Sequence, residues 1–169
     1  MLKKRGYEVI LPREGDQTVF VGERTTKAHQ GKADLFISIH ANAGAQSCSG
    51  IETFYCDPSY LTTEIHHGHK HKKGATAHVA TKRGSLSKEL ANALQDQMMK
   101  AVGTQTISRG VKGGALQVLM GFQGPAVLIE VGYLTNPIER KLLESKAYRL
   151  LLVQGICKGV EKFVEKRFA

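Results

Sequence analysis

The sequence has no tryptophan, 7% aromatic residues and three cysteines among 169 residues. So few aromatic side chains leave few stacking platforms for nucleic-acid bases. Cys48, Cys56 and Cys157 are too few and too scattered for a disulfide framework, and none forms a Cys-x-x-Cys metal pair. There is also no His-Glu-x-x-His helix and no Gly-x-Ser-x-Gly elbow, so the commonest zinc-protease and serine-hydrolase signatures are absent.

Long apolar runs and acidic residues are scarce as well. No segment approaches the roughly 20 apolar residues that span a bilayer. The first eight residues carry positive charge without the apolar stretch of a secretory signal. We therefore expect no membrane span and no signal peptide in this chain. Fifteen acidic residues against 24 Lys and Arg give a net charge of +9, which fits either a polyanionic partner or a solubilising basic surface.

What the sequence does contain is an alternation of strand and helix patterns that fits a single domain with one packed core. Short apolar runs predict strands at 7–11, 35–39, 50–55, 115–119 and 126–129. Capping residues and apolar stripes at helical spacing predict helices at 19–31, 85–102, from Asn136 onward and at 148–164. This alternation predicts an α/β domain with a mostly parallel open sheet that has helices on both faces.

Three stretches depart from this pattern. Residues 59–84 are basic, rich in histidine and without periodicity, so we expect an exposed insertion. Its histidines, at 66, 67, 69 and 71, have the composition of a metal-binding tract, and a solvated loop is the alternative. Three glycines at 110–114 predict a loop. The strand at 50–55 alternates with one wetter face, which predicts a place near the sheet edge.

Two polar side chains follow strongly apolar strands, which is where ligands gather in open α/β sheets. His40 comes after 35–39, and its imidazole would bind a metal, move a proton or make a structural hydrogen bond. Glu130 comes directly after 126–129, where a carboxylate is costly to bury unless it is paired, protonated or beside a metal. Glu130 is therefore a candidate general acid and base, with a salt bridge as the alternative. Arg109 is a candidate clamp for a carboxylate or phosphate, or a surface charge.

Two longer segments carry a family resemblance. They are ADLFISIHANA at 33–43 and PAVLIEVGYLTNP at 125–137. GIETFY at 50–55, the helix around 87–95 and RGVK at 109–112 support them in the same order and spacing. Together these motifs resemble the zinc-dependent N-acetylmuramoyl-L-alanine amidases over essentially the whole chain outside the histidine-rich insertion.

The resemblance implies a peptidoglycan hydrolase that cleaves the amide between N-acetylmuramic acid and the L-alanine of the stem peptide, with zinc as cofactor. It implies that His40 is a zinc ligand. It also implies that Glu130 is the catalytic glutamate, which takes a proton from zinc-activated water and passes it to the leaving amine. We expect Asn42 and Arg109 to contact the substrate. Cell-wall degradation and biogenesis imply a cell-envelope location, either periplasmic or secreted.

The chain also departs from the family pattern. Family members begin with a strand that ends in an Asp-x-Gly-His-Gly-type turn, and a glutamate lies on the following helix. These residues supply two further zinc ligands, and neither is matched here. We therefore expect a domain in which the first strand and most of the first helix are missing, with weak zinc affinity and little amidase activity for this chain alone.

Partners and alternative functions follow from the same features. In some relatives a helical insertion near the place of 59–84 covers the active site until a partner withdraws it, so an activator protein is a second expected partner beside peptidoglycan. The alternative function is a non-catalytic module that binds anionic wall polymers through its positive charge. Nucleic-acid binding rests on charge alone, and we expect no nucleic-acid partner.

Overall fold

A computed structural model describes the backbone of residues 1–57 and 75–168, and the side chains of 1–57 and 82–167. The helices are α1 (Val21–Gln30), α2 (Ala75–Val102), α3 (Gln117–Met120), α4 (Pro137–Glu144) and α5 (Lys146–Phe168). The strands are β1 (Phe36–Asn42), β2 (Ile51–Cys56), β3 (Ser108–Gly114) and β4 (Ala126–Tyr133). Single 3-10 turns lie at Leu2–Arg5 and Gly103–Gln105.

The four described strands form one sheet in the order β1-β4-β2-β3. β1 pairs in parallel with β4, β2 pairs in parallel with β3, and the central pair of β4 and β2 is antiparallel. Two of the three pairings are thus parallel, which confirms the mostly parallel sheet. β2 lies inside the sheet, so the expected place near an edge is wrong. Its polar residues Glu52 and Thr53 are buried against side-chain partners and not wetted by solvent.

Helices cover both faces of this sheet, as predicted. On one face, Ile37, Ile51, Val127 and Ile129 pack against apolar side chains of α2 and α5. On the other, alternate residues of the same strands pack against α1 and α3, and these include Phe36, Phe54, Ala126 and Leu128. The alternation follows from the two-residue repeat of a strand. We call the second side the α1 face.

Three local expectations differ from the structure. Residues 7–11 form no strand, because no described strand lies beside them to pair with their backbone. The predicted strand at 115–119 is largely the helical turn α3, which buries Val118 and Leu119. The glycine-rich stretch expected to be a loop is the edge strand β3. Its irregular register beside Gly110, which has a φ of 80°, is the kind of place where a strand tolerates glycine.

The predicted boundaries of the helices hold better at α4 than at α2. The side chain of Asn136 accepts hydrogen bonds from the backbone nitrogens of Ile138 and Glu139, at 2.9 and 3.1 Å, and Pro137 occupies the first turn as predicted. α2 begins at Ala75, ten residues before the predicted start, so the end of the expected insertion is helical. Residues 59–74, which include the histidine tract, lie outside the described residues.

α5 crosses α2 with two glycines at the contact. A Cβ atom built on Gly155 would lie 2.6 Å from the Cα atom of Met98, and one built on Gly159 would lie 2.7 Å from the Cα atom of Leu94. These neighbouring atoms are backbone, so a rotamer change cannot relieve the overlap. The glycines therefore set how closely the two helices approach.

We predict that Gly155→Ala destabilises the protein, because α5 has to move away from α2. The expected loss in the free energy of unfolding is about 1 to 3 kcal/mol, despite the helix propensity of about 1 kcal/mol that alanine adds. Gly22→Ala in α1 is the matched control, since a Cβ atom there meets nothing within 4 Å. Urea unfolding of the three proteins measures the difference, and equal midpoints for Gly155→Ala and the parent would contradict the packing argument.

Candidate active site

One row of residues crosses the sheet on its α1 face. Strand register pairs His40 of β1 with Glu130 of β4, Glu130 with Glu52 of β2, and Glu52 with Gly110 of β3. Paired residues on neighbouring strands project to the same face of a sheet. The structure therefore brings the two candidates, His40 and Glu130, side by side and adds a second carboxylate next to them.

Both candidates lie within their strands and not at the strand ends expected from the sequence. β1 continues for two residues beyond His40, and β4 continues for three residues beyond Glu130. The register of this pair shifts between His40 and Asn42. Such an irregularity bends a strand and re-aims its side chains, as occurs near many active sites.

His40 carries a neutral imidazole at neutral pH. Partial burial lowers the pKa of this ring below its ordinary value of 6.5, and the positive charge of Arg24 lowers it further. No described residue forms a hydrogen bond with the ring, so the structural hydrogen bond considered from the sequence is not formed within the described part of the chain. A neutral imidazole with a free nitrogen has a lone pair available to a metal or a proton.

Glu130 is a half-buried carboxyl group between His40 and Glu52 on the α1 face. Its Oε2 atom is buried and has no hydrogen-bond partner within the described part of the chain. Burial raises the pKa of Glu130 from 4.5 to about 7, and the negative charge of Glu52 contributes to the rise. No described Lys or Arg forms a salt bridge with Glu130, so the salt-bridge alternative is not realised there. The group therefore exchanges a proton near neutral pH.

Glu52 differs from Glu130, because it is a buried carboxylate whose two oxygens both accept hydrogen bonds. Its Oε1 atom accepts hydrogen bonds from Asn42 Nδ2 at 2.8 Å and from the Tyr133 hydroxyl at 3.3 Å. Its Oε2 atom accepts from Arg109 Nε at 3.2 Å and from Lys112 Nζ. Burial alone would raise the pKa of Glu52, but the hydrogen bonds from Lys112 and Arg109 bring it below its ordinary value. Glu52 thus stays ionised beside Glu130.

Asn42 and Arg109, the predicted substrate contacts, reach this row through Glu52. Arg109 also donates from Nη1 to the Ser49 carbonyl at 3.3 Å, and its guanidinium lies 5.3 Å from the centre of the Tyr133 ring. Asn42 Oδ1 accepts from the backbone nitrogen of Ala43 at 2.8 Å. Both side chains are therefore held in place beside the two carboxylates.

Sequence reasoning missed three members of this site, namely Glu52, Lys112 and Tyr133. The motifs around Glu52 and Lys112 support the family resemblance, yet neither residue stands out chemically in its own segment. Glu52 alternates with apolar residues and looks like a wet strand position. A signal was available in the sequence, because an acid in one strand and two cations in a later segment have complementary charge, but their pairing depends on strand register.

The zinc ion implied by the resemblance finds suitable donor types here but not enough of them. His40 offers a neutral imidazole. Glu130 Oε2, which has no partner among the described residues, is a carboxylate oxygen of a kind that binds zinc. Among the described residues, no group of three His, Cys, Asp or Glu is placed to hold a metal ion. A catalytic zinc needs three protein ligands, so the described residues alone do not form a zinc centre.

Comparison with known proteins places this chain in a family. The sequence pattern that defines N-acetylmuramoyl-L-alanine amidases matches residues 1–162. The chain belongs to this family. The resemblance seen in the two long motifs is thereby confirmed, and the amidase pattern extends over nearly all of the chain.

Three amidases show how far the similarity extends. LytC of Bacillus subtilis (strain 168) is 31% identical over 163 residues, which are 96% of this chain and 28% of LytC. The catalytic domain of CwlV from Bacillus (Paenibacillus) polymyxa var. colistinus superposes with a TM-score of 0.76 at 30% identity, over 97% of this chain and 76% of that one. The CwlD amidase of Clostridioides difficile, solved in complex with the GerS lipoprotein, superposes with a TM-score of 0.73 at 26% identity, over 97% and 79%. The fold is thus that of an amidase catalytic domain, while the chain spans less than a third of LytC.

The raised pKa of Glu130 predicts a pH-dependent stability. The folded protein keeps the Glu130 proton up to about pH 7, whereas the unfolded carboxyl releases it near 4.5. The folded state therefore binds more protons across this window, and the free energy of unfolding falls as the pH rises through it. We expect Glu130→Gln, which stays neutral, to remove this fall. The free energy of unfolding of Glu130→Gln relative to that of the parent should therefore be higher at about pH 8 than at about pH 5.

Urea unfolding in the presence of a chelator measures this difference without interference from bound metal. Glu165→Gln is the matched control, because Glu165 is an exposed carboxylate on α5. This variant should keep the pH dependence of the parent. A Glu130→Gln protein with the same pH dependence as the parent would show that the carboxyl group titrates normally in the folded state.

Proposed function

We propose that this site hydrolyses the amide bond between N-acetylmuramic acid and the L-alanine of the peptidoglycan stem peptide. The observation that carries the proposal is Glu130, which is in register with the neutral His40 and has a pKa of about 7. Its buried Oε2 atom lacks a partner among the described residues. Membership of the amidase family supports the identity of the bond. A carboxyl group poised near neutral pH is what proton transfer in amide hydrolysis requires.

The proposed steps use Glu130 twice. As a carboxylate, it accepts a proton from the water that attacks the carbonyl carbon of the lactyl group. As a carboxylic acid, it then gives that proton to the nitrogen of L-alanine, so that the carbon–nitrogen bond breaks and the stem peptide leaves with a free amino group. A pKa of about 7 allows both roles at the same pH. Glu52 keeps its negative charge throughout and disfavours a permanently ionised Glu130.

Asn42 and Arg109 are proposed to hold the substrate beside Glu130. Both side chains are partly exposed, and both are fixed by hydrogen bonds to the Glu52 carboxylate. An amide and a guanidinium offer donors for peptide or sugar oxygens. Their fixed geometry supports the orientation of the scissile bond toward Glu130.

We also propose zinc as the cofactor, with His40 as one ligand. The neutral ring and its lack of a described partner support this role. When bound, zinc would polarise the scissile carbonyl and lower the pKa of a bound water. The further ligands that such an ion needs are not among the described residues.

The proposed place of action is the cell wall, either in the periplasm or after secretion. The cell-wall amidases that the chain resembles support this location. Within the described residues, no helix has the length and apolar character needed to cross a membrane. An activator protein that acts on residues 59–84 is a further proposal, supported by the complex of CwlD with GerS.

Glu130→Gln should lower the release of stem peptides from purified peptidoglycan by at least about 100-fold, because the general base is lost. The assay uses the chain with the family's Gly-His-Gly turn and glutamate-bearing helix added, because the chain alone is expected to hold zinc weakly. It supplies zinc and detects new L-alanine amino termini by mass spectrometry. Glu165→Gln should retain the parent rate. Release by Glu130→Gln at the parent rate would refute the role of Glu130, and a parent protein that sediments with cell walls without releasing peptide would favour the non-catalytic module.

In the same extended protein, chelation should abolish hydrolysis and added zinc should restore it, because the proposed reaction needs an activated water. His40→Ala should also lower the zinc content of the purified protein, measured by atomic absorption. His29→Ala is the matched control, since His29 is an exposed histidine in α1. Full hydrolysis by a chelated protein, or equal zinc content in both variants, would contradict the proposed ligand.

A further inference from the structure

We infer that Arg109 and Lys112, held together by Glu52, form a binding site for a free carboxylate on the stem peptide. Neither Glu52 nor Lys112 has a role in the proposed hydrolysis beyond electrostatic support. The inference rests on the proposed function for the identity of the ligand, and on the contacts of these three residues for the site itself.

The charges of Glu52, Arg109 and Lys112 lie in two layers. One oxygen of Glu52 accepts from both Arg109 Nε, at 3.2 Å, and Lys112 Nζ. The Glu52 side chain is 4% exposed, whereas those of Arg109 and Lys112 are 33% and 41% exposed. The carboxylate therefore lies beneath the two cations, and the cations face solvent.

The charges of Glu52, Arg109 and Lys112 do not cancel. One ionised carboxylate lies beneath two cations, so one positive charge is left over at the surface of this cluster when Glu130 is protonated. The other oxygen of Glu52 is occupied by Asn42 and Tyr133, which are uncharged and leave that excess unchanged. A single cation would have neutralised Glu52. The second one provides charge for an anion that comes from outside the protein.

Arg109 and Lys112 are already held in place before a ligand binds. The Arg109 guanidinium lies against the ring of Tyr133, and Lys112 Nζ lies 5.7 Å from the centre of the Phe54 ring. Together with the shared Glu52 oxygen, these contacts restrict two long side chains that are otherwise costly to order. Side chains ordered before binding lose less conformational entropy when a ligand arrives.

The distance from Glu130 to the two cations fits the length of a bound stem peptide. Glu52 is the direct register partner of Glu130, so its carboxylate lies roughly 5 Å away along the sheet. The cations lie beyond it, in the direction of the edge strand β3. An extended peptide covers roughly 7 Å in two residues. A stem peptide whose first nitrogen lies at Glu130 thus places the carboxylate of its second residue near the cations.

The test compares two ligands whose γ-carboxyl group is blocked, N-acetylmuramoyl-L-alanyl-D-glutamic acid γ-methylamide and its α-amide, so that only the first carries a free carboxylate on the stem peptide. All proteins carry Glu130→Gln, so that the ligand stays intact, and calorimetry measures both affinities. We expect about fivefold tighter binding of the acid, the upper range for a partly exposed ion pair. High salt should reduce this preference.

Variants of Lys112 assign the preference to the site. Lys112→Met should bring the preference for the acid below about twofold, while Lys112→Arg, which keeps the cation, should preserve it. Lys158→Met is the matched control, because Lys158 is an exposed lysine on α5, and it should also preserve it. Circular dichroism and thermal unfolding establish that each variant is folded, and Lys112→Gln, which also removes the charge, replaces Lys112→Met if that variant unfolds.

Equal affinity for acid and amide in the unsubstituted Lys112 protein, or binding of neither ligand, would overturn the inference. The same preference for the acid with Lys112→Met as without it, both in the Glu130→Gln protein, would also overturn the inference. The readout is binding and not hydrolysis, so the two proposals fail separately. Preference for the acid in the Glu130→Gln protein, together with no release of stem peptide by the protein that keeps Glu130, would refute the proposed function alone.

Discussion

The described site depends on how one buried carboxylate, Glu52, is stabilised. An ionised group with 3% exposure is costly to bury unless charged and polar partners surround it. Two cations, an amide and a hydroxyl meet that need, and they come from three different strands of the sheet. The same contacts fix Arg109 and Asn42, so the stabilisation of Glu52 and the shape of the proposed substrate site have one physical origin.

Glu52, Glu130 and Glu139 have different chemical roles because their surroundings differ. Glu52 is satisfied and stays ionised, while Glu130, its register partner, has a buried oxygen without a described partner and a pKa of about 7. Glu139 is buried too, but it accepts from the backbone nitrogens of Gly50 and Tyr133, both at 2.7 Å, and from the Thr106 hydroxyl. Glu139 therefore holds neighbouring loops together. Glu130 keeps proton-transfer capacity near neutral pH.

Prediction from the sequence succeeded where short stretches carry their own signal. β1 and β4 each begin with a nearly continuous apolar run, and α4 begins with a capping asparagine and a proline, so neighbouring residues alone indicate these elements. Prediction failed at β3 and α3, where glycine-rich sequence pairs as an edge strand and an apolar stretch coils into a turn. In both cases the outcome depends on the neighbouring strand and the core, which the local sequence does not contain.

By itself, the sequence determined the alternation of strands and helices, the family, and the candidacy of His40 and Glu130, because each rests on residues close together in the chain. Only the tertiary structure decided that Glu52 joins them. Arg109 and Lys112 lie 57 and 60 residues from Glu52 along the chain, and strand register brings them together. Register is set by backbone pairing and by packing against both layers of helices, so a single segment cannot reveal which charges meet.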